Sequence, residues 1–381
     1  MSRQRKKSKA VPVVILLFIL VAALCVGCFY AENIVDAMRK EKLTQVQEKV
    51  EAANSKKEQK YAAELAEYQQ KINKKPDTSW PEHKQDGWDL LVLDNYPLEN
   101  QITRTMTRAE TMNNGMLLVN PWHKRPDDFD EAGITALGSH YNWKLQVNDG
   151  RVSLFLNAAD AFKAAVDAAA AENANLTHYT VSEAYRSWNT QNEMFEKAKT
   201  RLASKYSGEA LEAAAAKEVN APGTSEFNTG LAFRVRLYDR ENAEVGKGHY
   251  STSDQGIWMN ENCWKYGLIF RFPLNGWPLP ESTDKSFVTG ISSQQNIYRY
   301  VGVPHATIMH YMDFCLEDYI QYLQEHPHLA FFEDGVLKYE IYRQYVGDAS
   351  SFDVILNNTS KITRTVTSLD NMGYVITSFE Y

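Results

Sequence analysis

The chain has 381 residues, enough for one large domain with accessory segments. Its apolar share of 44% is typical of a chain with a folded core, which excludes a mainly disordered protein. The formal net charge is −7, and no basic stripe recurs in the predicted folded part, so nucleic acid is excluded as a main partner.

The first 30 residues have the pattern of a membrane anchor. Basic residues crowd positions 1–10, and an apolar run at residues 11–30 follows directly. A run of about 20 apolar residues can cross a bilayer as a helix. Because basic residues favour the cytoplasmic side, the sequence predicts a single-pass protein of the cell membrane, with a cytoplasmic N-terminus and an extracytoplasmic domain.

A cleaved signal peptide is the alternative interpretation of this run. The run is longer than a usual signal-peptide core and no A-x-A cleavage site follows it, which favours the uncleaved anchor. The pair Cys25 and Cys28 leaves lipidation at Cys28 open as a further alternative.

Residues 31–75 predict a helical stalk. They are rich in Lys, Glu, Gln and Ala and contain neither Gly nor Pro, and Pro76 ends the segment. Apolar residues recur at spacings of three and four, as on one face of a helix: Leu43, Val46, Val50, Ala53, Tyr61, Leu65, Tyr68 and Ile72. This stripe is thin, so a solvated stalk and a parallel coiled-coil homodimer both remain open.

Beyond the stalk, the pattern predicts both helices and strands. Residues 76–114 form an accessory segment of strand and loop in this interpretation, and residues 326–381 form a small C-terminal β appendage. Helices are predicted at 157–173, 189–204, 208–219 and 313–324, and strands at 176–181, 230–237 and 292–300. Helices and strands that do not alternate strictly indicate an α+β class with an antiparallel sheet and flanking helices.

Four motifs in the main domain point to one family. They are YRS at 185–187 followed by Gln191, SEFNTGLAFR at 225–234, WMNENCWKYG at 258–267 and TGISSQQNIYRYVG at 289–302. They resemble the GYRSxxxQ, SEHxTGLAxD, WLxENxxKYGF and TGxxxEPWHFRYVG motifs of the VanY-type D-alanyl-D-alanine carboxypeptidase family. The resemblance covers residues 115–325 and implies the fold of these zinc peptidases.

The reactive centre departs from that family pattern. The resemblance implies two histidines and one aspartate as zinc ligands, with a glutamate as the catalytic base. This sequence has Phe227, Ile297 and Arg234 at the ligand positions and Gln294 at the base position. The first three offer no donor that zinc accepts, and a glutamine amide cannot act as a general base. The sequence therefore predicts a pseudoenzyme without metal, cofactor or catalytic residues.

A metal site rebuilt from other residues is the alternative. The candidate ligands are His249, Asp254, His305 and His310. No HxxxH, HExxH or CxxC spacing links them, and the resemblance makes His305 a structural histidine.

The substrate side of the pattern is better preserved. The resemblance implies that Arg186 binds the terminal carboxylate of a peptidoglycan stem peptide, with Gln191 and Ser225 lining the cleft. A guanidinium suits this role because it can donate two parallel hydrogen bonds to one carboxylate. The alternative is an internal ion pair of Arg186 with Glu183 or Glu226.

Cys263 and Cys315 are the cysteines of the predicted exported part. An oxidising compartment permits a disulfide between them, and burial as free thiols is equally open.

Three hypotheses of function follow. The leading one is a membrane-anchored, inactive homologue that binds cell-wall peptide or a protein partner. The second is an active D,D-carboxypeptidase with a rebuilt metal site. The third is a structural scaffold with a vestigial cleft.

Overall fold

The computed structural model describes residues 20, 21, 24, 27, 30, 34, 35, 37–49, 52, 55, 56 and 87–381. The chain divides into two units, Met1–Gln69 and Gln70–Tyr381, and the described residues of the first unit are helical and exposed. Within the described part of the chain, no helix combines the length and apolar character that a membrane span requires. Most of the predicted membrane segment 11–30, and the stalk beyond position 56, lie outside the described residues.

Fourteen strands and nine α-helices make up residues 87–381. The strands are β1 (Trp88–Val92), β2 (Gln101–Thr107), β3 (Thr135–Ala136), β4 (Gln146–Val147), β5 (Ser153–Leu154), β6 (Tyr179–Glu183), β7 (Ala232–Leu237), β8 (Leu268–Phe270), β9 (Ile297–Tyr300), β10 (His328–Glu333), β11 (Val336–Tyr345), β12 (Ser351–Asn357), β13 (Arg364–Leu369) and β14 (Tyr374–Glu380). The helices are α1 (Arg108–Met112), α2 (Leu137–His140), α3 (Leu156–Glu172), α4 (Trp188–Leu202), α5 (Gly208–Glu218), α6 (Asp254–Asn262), α7 (Ser286–Thr289), α8 (Val303–Tyr311) and α9 (Leu316–Glu325).

A five-stranded sheet in the order β4-β6-β7-β9-β8 forms the centre of the main domain. Its strands pair antiparallel, apart from the parallel pair β4 and β6. Helix α3 packs on this sheet through Phe162, whose ring centroid lies 4.7 Å from that of Phe233 on β7. The helix is rich in alanine, which favours the helical state and lets the backbone approach the sheet closely.

The C-terminal strands form sheets with strands from the start of the domain. One sheet has the order β1-β10-β11-β14-β13, and a separate antiparallel pair joins β12 to β2. Strands of the predicted accessory segment therefore pair with strands of the predicted appendage. Strand periodicity indicates which residues extend, but it does not indicate which strands pair.

Most predicted elements have their counterparts in the structure. The α+β class is confirmed, and the helices predicted at 157–173, 189–204, 208–219 and 313–324 correspond to α3, α4, α5 and α9. The strand predicted at 292–300 is shorter, because only Ile297–Tyr300 pair with their neighbours. Residues 292–296 form a loop at the mouth of a cleft.

Candidate functional site

A cleft of about 370 Å³ opens where β7 and β9 meet the turn Glu226–Thr229 and the loop 289–296. Six of the residues that the sequence singled out line this cleft: Arg186, Ser225, Phe227, Arg234, Gln294 and Ile297. The four positions that depart from the family pattern and the predicted substrate arginine thus share one cavity.

An apolar cluster forms the floor of the cleft. Phe227 and Ile297 are 4% and 2% exposed, and they pack with Ala232, Phe272 and Ile291. Ile297 on β9 is the cross-strand partner of Arg234 on β7. Phe227 and Ile297 have no donor atoms, and Arg234 is a cation. This set therefore does not fit a zinc ion, which takes nitrogen, sulfur or carboxylate ligands.

Gln294 lies on the exposed loop at the rim of the cleft. Its neutral amide is not a proton acceptor of the strength that a general base needs. The neighbouring Gln295 has a structural contact instead, because its Oε1 accepts a hydrogen bond from Arg234 Nη2 at 3.0 Å.

Arg186 is held from three sides. Its guanidinium pairs with Glu183 and donates from Nη1 to Gln191 Oε1 at 3.1 Å. The same group lies over the Phe227 ring, 4.4 Å from the centroid, within the range of a cation–π contact. The internal ion pair with Glu183, which the sequence left as an alternative, is therefore present, and the Arg186 side chain is 14% exposed.

Gln191 and Ser225 have different positions relative to the cleft. Ser225 lines the cavity and is buried. Gln191 lies beneath the surface, where its Nε2 donates to the Asn220 carbonyl at 2.7 Å and its Oε1 accepts from Arg186. Gln191 therefore orients Arg186, and its own side chain is not accessible to a ligand in this conformation.

A buried charge network supports the turn beneath the cleft. Glu226 pairs with Arg299, and its Oε2 accepts from Arg271 Nε at 2.6 Å. Arg271 also makes a bidentate contact with Glu317 at 2.7 and 2.8 Å. Burial lowers the pKa of Arg299, whereas at Arg271 the two carboxylates outweigh burial and raise the pKa. Glu226 has an architectural role, because two guanidiniums occupy its carboxylate.

Arg299 also fixes the entry segment of the domain. Its Nη2 donates to the carbonyls of Gly115 and Leu117 at 2.7 and 2.9 Å. Gly115 has a φ of +136°, and a Cβ there would lie 2.6 Å from the carbonyl oxygen of Val301. Glycine is required at this close approach.

The candidate ligands of a rebuilt metal site are not gathered in one place. His305 is buried beside the Tyr319 hydroxyl, and burial lowers its pKa to about 3. His310 stacks on Trp264, and burial lowers its pKa to about 4. His249 and Asp254 are exposed. Across the described residues, no group of three or more His, Cys, Asp and Glu side chains is placed to hold a metal ion.

Cys263 and Cys315 are both buried free thiols. Burial raises the pKa of Cys263 to about 12 and that of Cys315 well above its usual value. Neither thiol is therefore activated as a nucleophile.

The sequence did not indicate the second partner of Glu183. Glu183 on β6 is the cross-strand neighbour of Arg234, and its Oε2 lies 3.5 Å from Arg234 Nε. One carboxylate therefore contacts both arginines of the cleft. This contact depends on the register between β6 and β7. That register contains an irregularity between Val181 and Glu183, which no sequence pattern reveals.

Comparisons with known proteins agree with this architecture. Residues 151–302 match the family model VanY, D-alanyl-D-alanine carboxypeptidase. The chain is 28% identical over 248 residues to a D-alanyl-D-alanine carboxypeptidase of Enterococcus faecium, covering 64% of this chain and 69% of that protein. It is 30% identical over 227 residues to a D-alanyl-D-alanine carboxypeptidase of Enterococcus faecalis, covering 59% of this chain and 72% of that protein.

Among solved structures, the chain is similar to the vancomycin-resistance D,D-dipeptidase VanXYg, crystallised with a D-Ala-D-Ala phosphinate analog. The TM-score is 0.53 at 19% identity, and the match covers 74% of this chain and 99% of that one. This likeness shows the common fold. By its motifs, its fold and its relatives, the chain belongs to the VanY family of D-alanyl-D-alanine carboxypeptidases.

Proposed function

We propose that this VanY-family protein is a metal-free, catalytically inactive receptor for peptides that end in a free carboxylate. The observation behind this proposal is the charge of the cleft. Two guanidiniums, Arg186 and Arg234, meet a single carboxylate, Glu183. The two acidic residues that line the cleft have their own partners, because Glu226 pairs with Arg271 and Arg299, and Glu218 pairs with Arg201. One positive charge is left for an anionic ligand.

The ligand class follows from the relatives. Two of them are named for D-alanyl-D-alanine, which at the end of a peptidoglycan stem peptide presents one terminal carboxylate. Such a carboxylate can form charge-assisted hydrogen bonds with a guanidinium without any metal. A protein partner with an exposed C-terminus would satisfy the same chemistry.

The proposed loss of catalysis rests on the side chains of the cleft. Phe227, Ile297 and Arg234 give no metal ligands, and Gln294 gives no base, so neither a metal-activated water nor a proton acceptor is available there. The apolar pair instead packs into the floor of the cleft.

A second candidate is an active D,D-carboxypeptidase, and the names of the relatives favour it. It requires a metal site built from residues other than those in the cleft floor.

Metal content and product release distinguish the two candidates. The purified full-length protein should contain no stoichiometric zinc, and it should release no D-alanine from a peptide that ends in D-Ala-D-Ala. The Enterococcus faecalis relative serves as the positive control. About one zinc per chain, together with release of D-alanine that a chelator stops, would establish the second candidate.

A further inference from the structure

The two arginines of the cleft differ in their availability to a ligand. Arg186 is 14% exposed, and both of its terminal nitrogens have acceptors, Gln191 and Glu183. Arg234 is 39% exposed, and its Nη2 donates to Gln295. Its Nε is buried beside Glu183, whereas its Nη1 makes no hydrogen bond within the part of the chain that the structure describes. Arg234 therefore has more donor capacity for an incoming anion than Arg186 has.

Among the described residues, Glu183 is the one carboxylate that contacts both Arg186 and Arg234. Its Oε1 pairs with Arg186, while its Oε2 lies 3.5 Å from Arg234 Nε. The contact with Arg234 is the longer one and lacks hydrogen-bond geometry. Glu183 is 30% exposed and contacts both arginines, so a ligand carboxylate that binds either arginine would lie near it.

We infer that Arg234 is the primary anchor for the ligand's terminal carboxylate, and that Glu183 is an internal carboxylate that competes with the ligand. This inference rests on the proposed function and assigns its residues. Arg234 stands where the family pattern has an aspartate, so the substitution that removes a metal ligand also supplies a new anion site. Arg186 is fixed over the Phe227 ring by its contacts with Glu183 and Gln191.

The inference defines the ligand by its end group. A peptide with a C-terminal carboxylate neutralises the excess charge of the cleft, whereas the same peptide with a C-terminal amide does not. Breaking a fully desolvated charge pair costs far more free energy than breaking an exposed one. Arg234 is partly exposed, so the cost of losing its partner should lie between these two cases. We expect roughly tenfold weaker binding on loss of either charged partner, which corresponds to about 1.4 kcal/mol.

The test is a calorimetric titration of the full-length protein and three variants with a D-Ala-D-Ala peptide in its acid and amide forms. Arg234→Gln should weaken binding of the acid about tenfold and leave binding of the amide unchanged. Glu183→Gln should tighten binding of the acid several-fold, because it removes the competitor. Arg236→Gln is the matched control, since Arg236 lies on the same strand, contacts Asn148 and does not line the cleft. Circular dichroism checks that each variant is folded.

The outcomes separate this inference from the proposed function. If the native protein and Arg234→Gln bind the acid form with equal affinity, the assignment of Arg234 as the anchor is overturned and the receptor function stands. No tightening in a folded Glu183→Gln would overturn the role of Glu183 as a competitor. If native protein ignores the acid at millimolar concentration and Glu183→Gln does also, the receptor function itself fails.

Discussion

The four departures at the reactive centre are physically coherent as a set. Replacing metal ligands by small side chains would leave a cavity, and cavities are destabilising. Here Phe227 and Ile297 are instead packed into a cluster with Ala232 and Phe272. Arg234 has a carboxylate neighbour, Glu183, and a hydrogen bond to Gln295. The cleft is therefore a well-packed site in its own right.

Restoring the donor set should restore metal binding. We expect the triple variant Phe227→His, Arg234→Asp, Ile297→His to retain about one zinc per chain after dialysis, because three protein ligands are what a catalytic zinc site supplies. Metal analysis of native and variant protein provides the measurement. Gln294→Glu alone is the control and should stay without zinc. A folded triple variant that binds no zinc would show that these positions are not those of the family's metal.

At the scale of elements, the turn Glu226–Thr229 is the part that sets the cleft. Its Glu226 contacts Arg271, which directly follows β8, and Arg299 on β9, and Arg271 in turn contacts Glu317 on α9; all three partners are buried or nearly so. The charges of two guanidiniums and two carboxylates cancel within this network. A buried network of this kind gives little net stability over an apolar core, but removing one member leaves an uncompensated charge.

Loss of Glu226 should therefore destabilise the domain strongly. We expect Glu226→Gln to lower the free energy of unfolding by about 3–5 kcal/mol, because the buried Arg299 would lose its carboxylate partner and Arg271 would keep only Glu317. Urea denaturation followed by circular dichroism measures this change. Glu193→Gln, on the exposed face of α4, is the control and should change stability by less than about 0.5 kcal/mol. A similar midpoint for both variants would contradict the structural role of the network.

The sequence predicts the helices and strands better than it predicts which strands pair with each other. Helices α3, α4 and α5 lie where the sequence predicts helices, because the preference for a helix depends on neighbouring residues. The pairing of Glu183 with Arg234, and of β1 and β2 with the C-terminal strands, depends on register and sheet order. These arise from contacts between residues far apart in sequence, so no local pattern contains them.

At the scale of the whole molecule, the proposed function requires the domain to lie where cell-wall peptides are. The basic residues at positions 1–10 and the apolar run 11–30 motivate an uncleaved anchor with the domain outside. This placement and the homodimer through the stalk stay predictions, since most of the residues concerned lie outside the described ones.

Protease accessibility tests this topology. Protease added to spheroplasts should digest the domain, and in untreated cells the domain should fractionate with membranes, because an apolar run of about 20 residues holds it there. A cytoplasmic marker protein controls for lysis. Recovery of a soluble exported form that begins near residue 31 would instead indicate signal cleavage.

The central claim is that the cleft binds a peptide carboxylate without a metal. It is tested most directly by calorimetric titration of the full-length protein with a D-Ala-D-Ala peptide, before and after exhaustive treatment with a chelator. The account predicts the same affinity in both titrations, because Arg186 and Arg234 supply the charge that the ligand needs. Binding that disappears with the chelator and returns with zinc would contradict it.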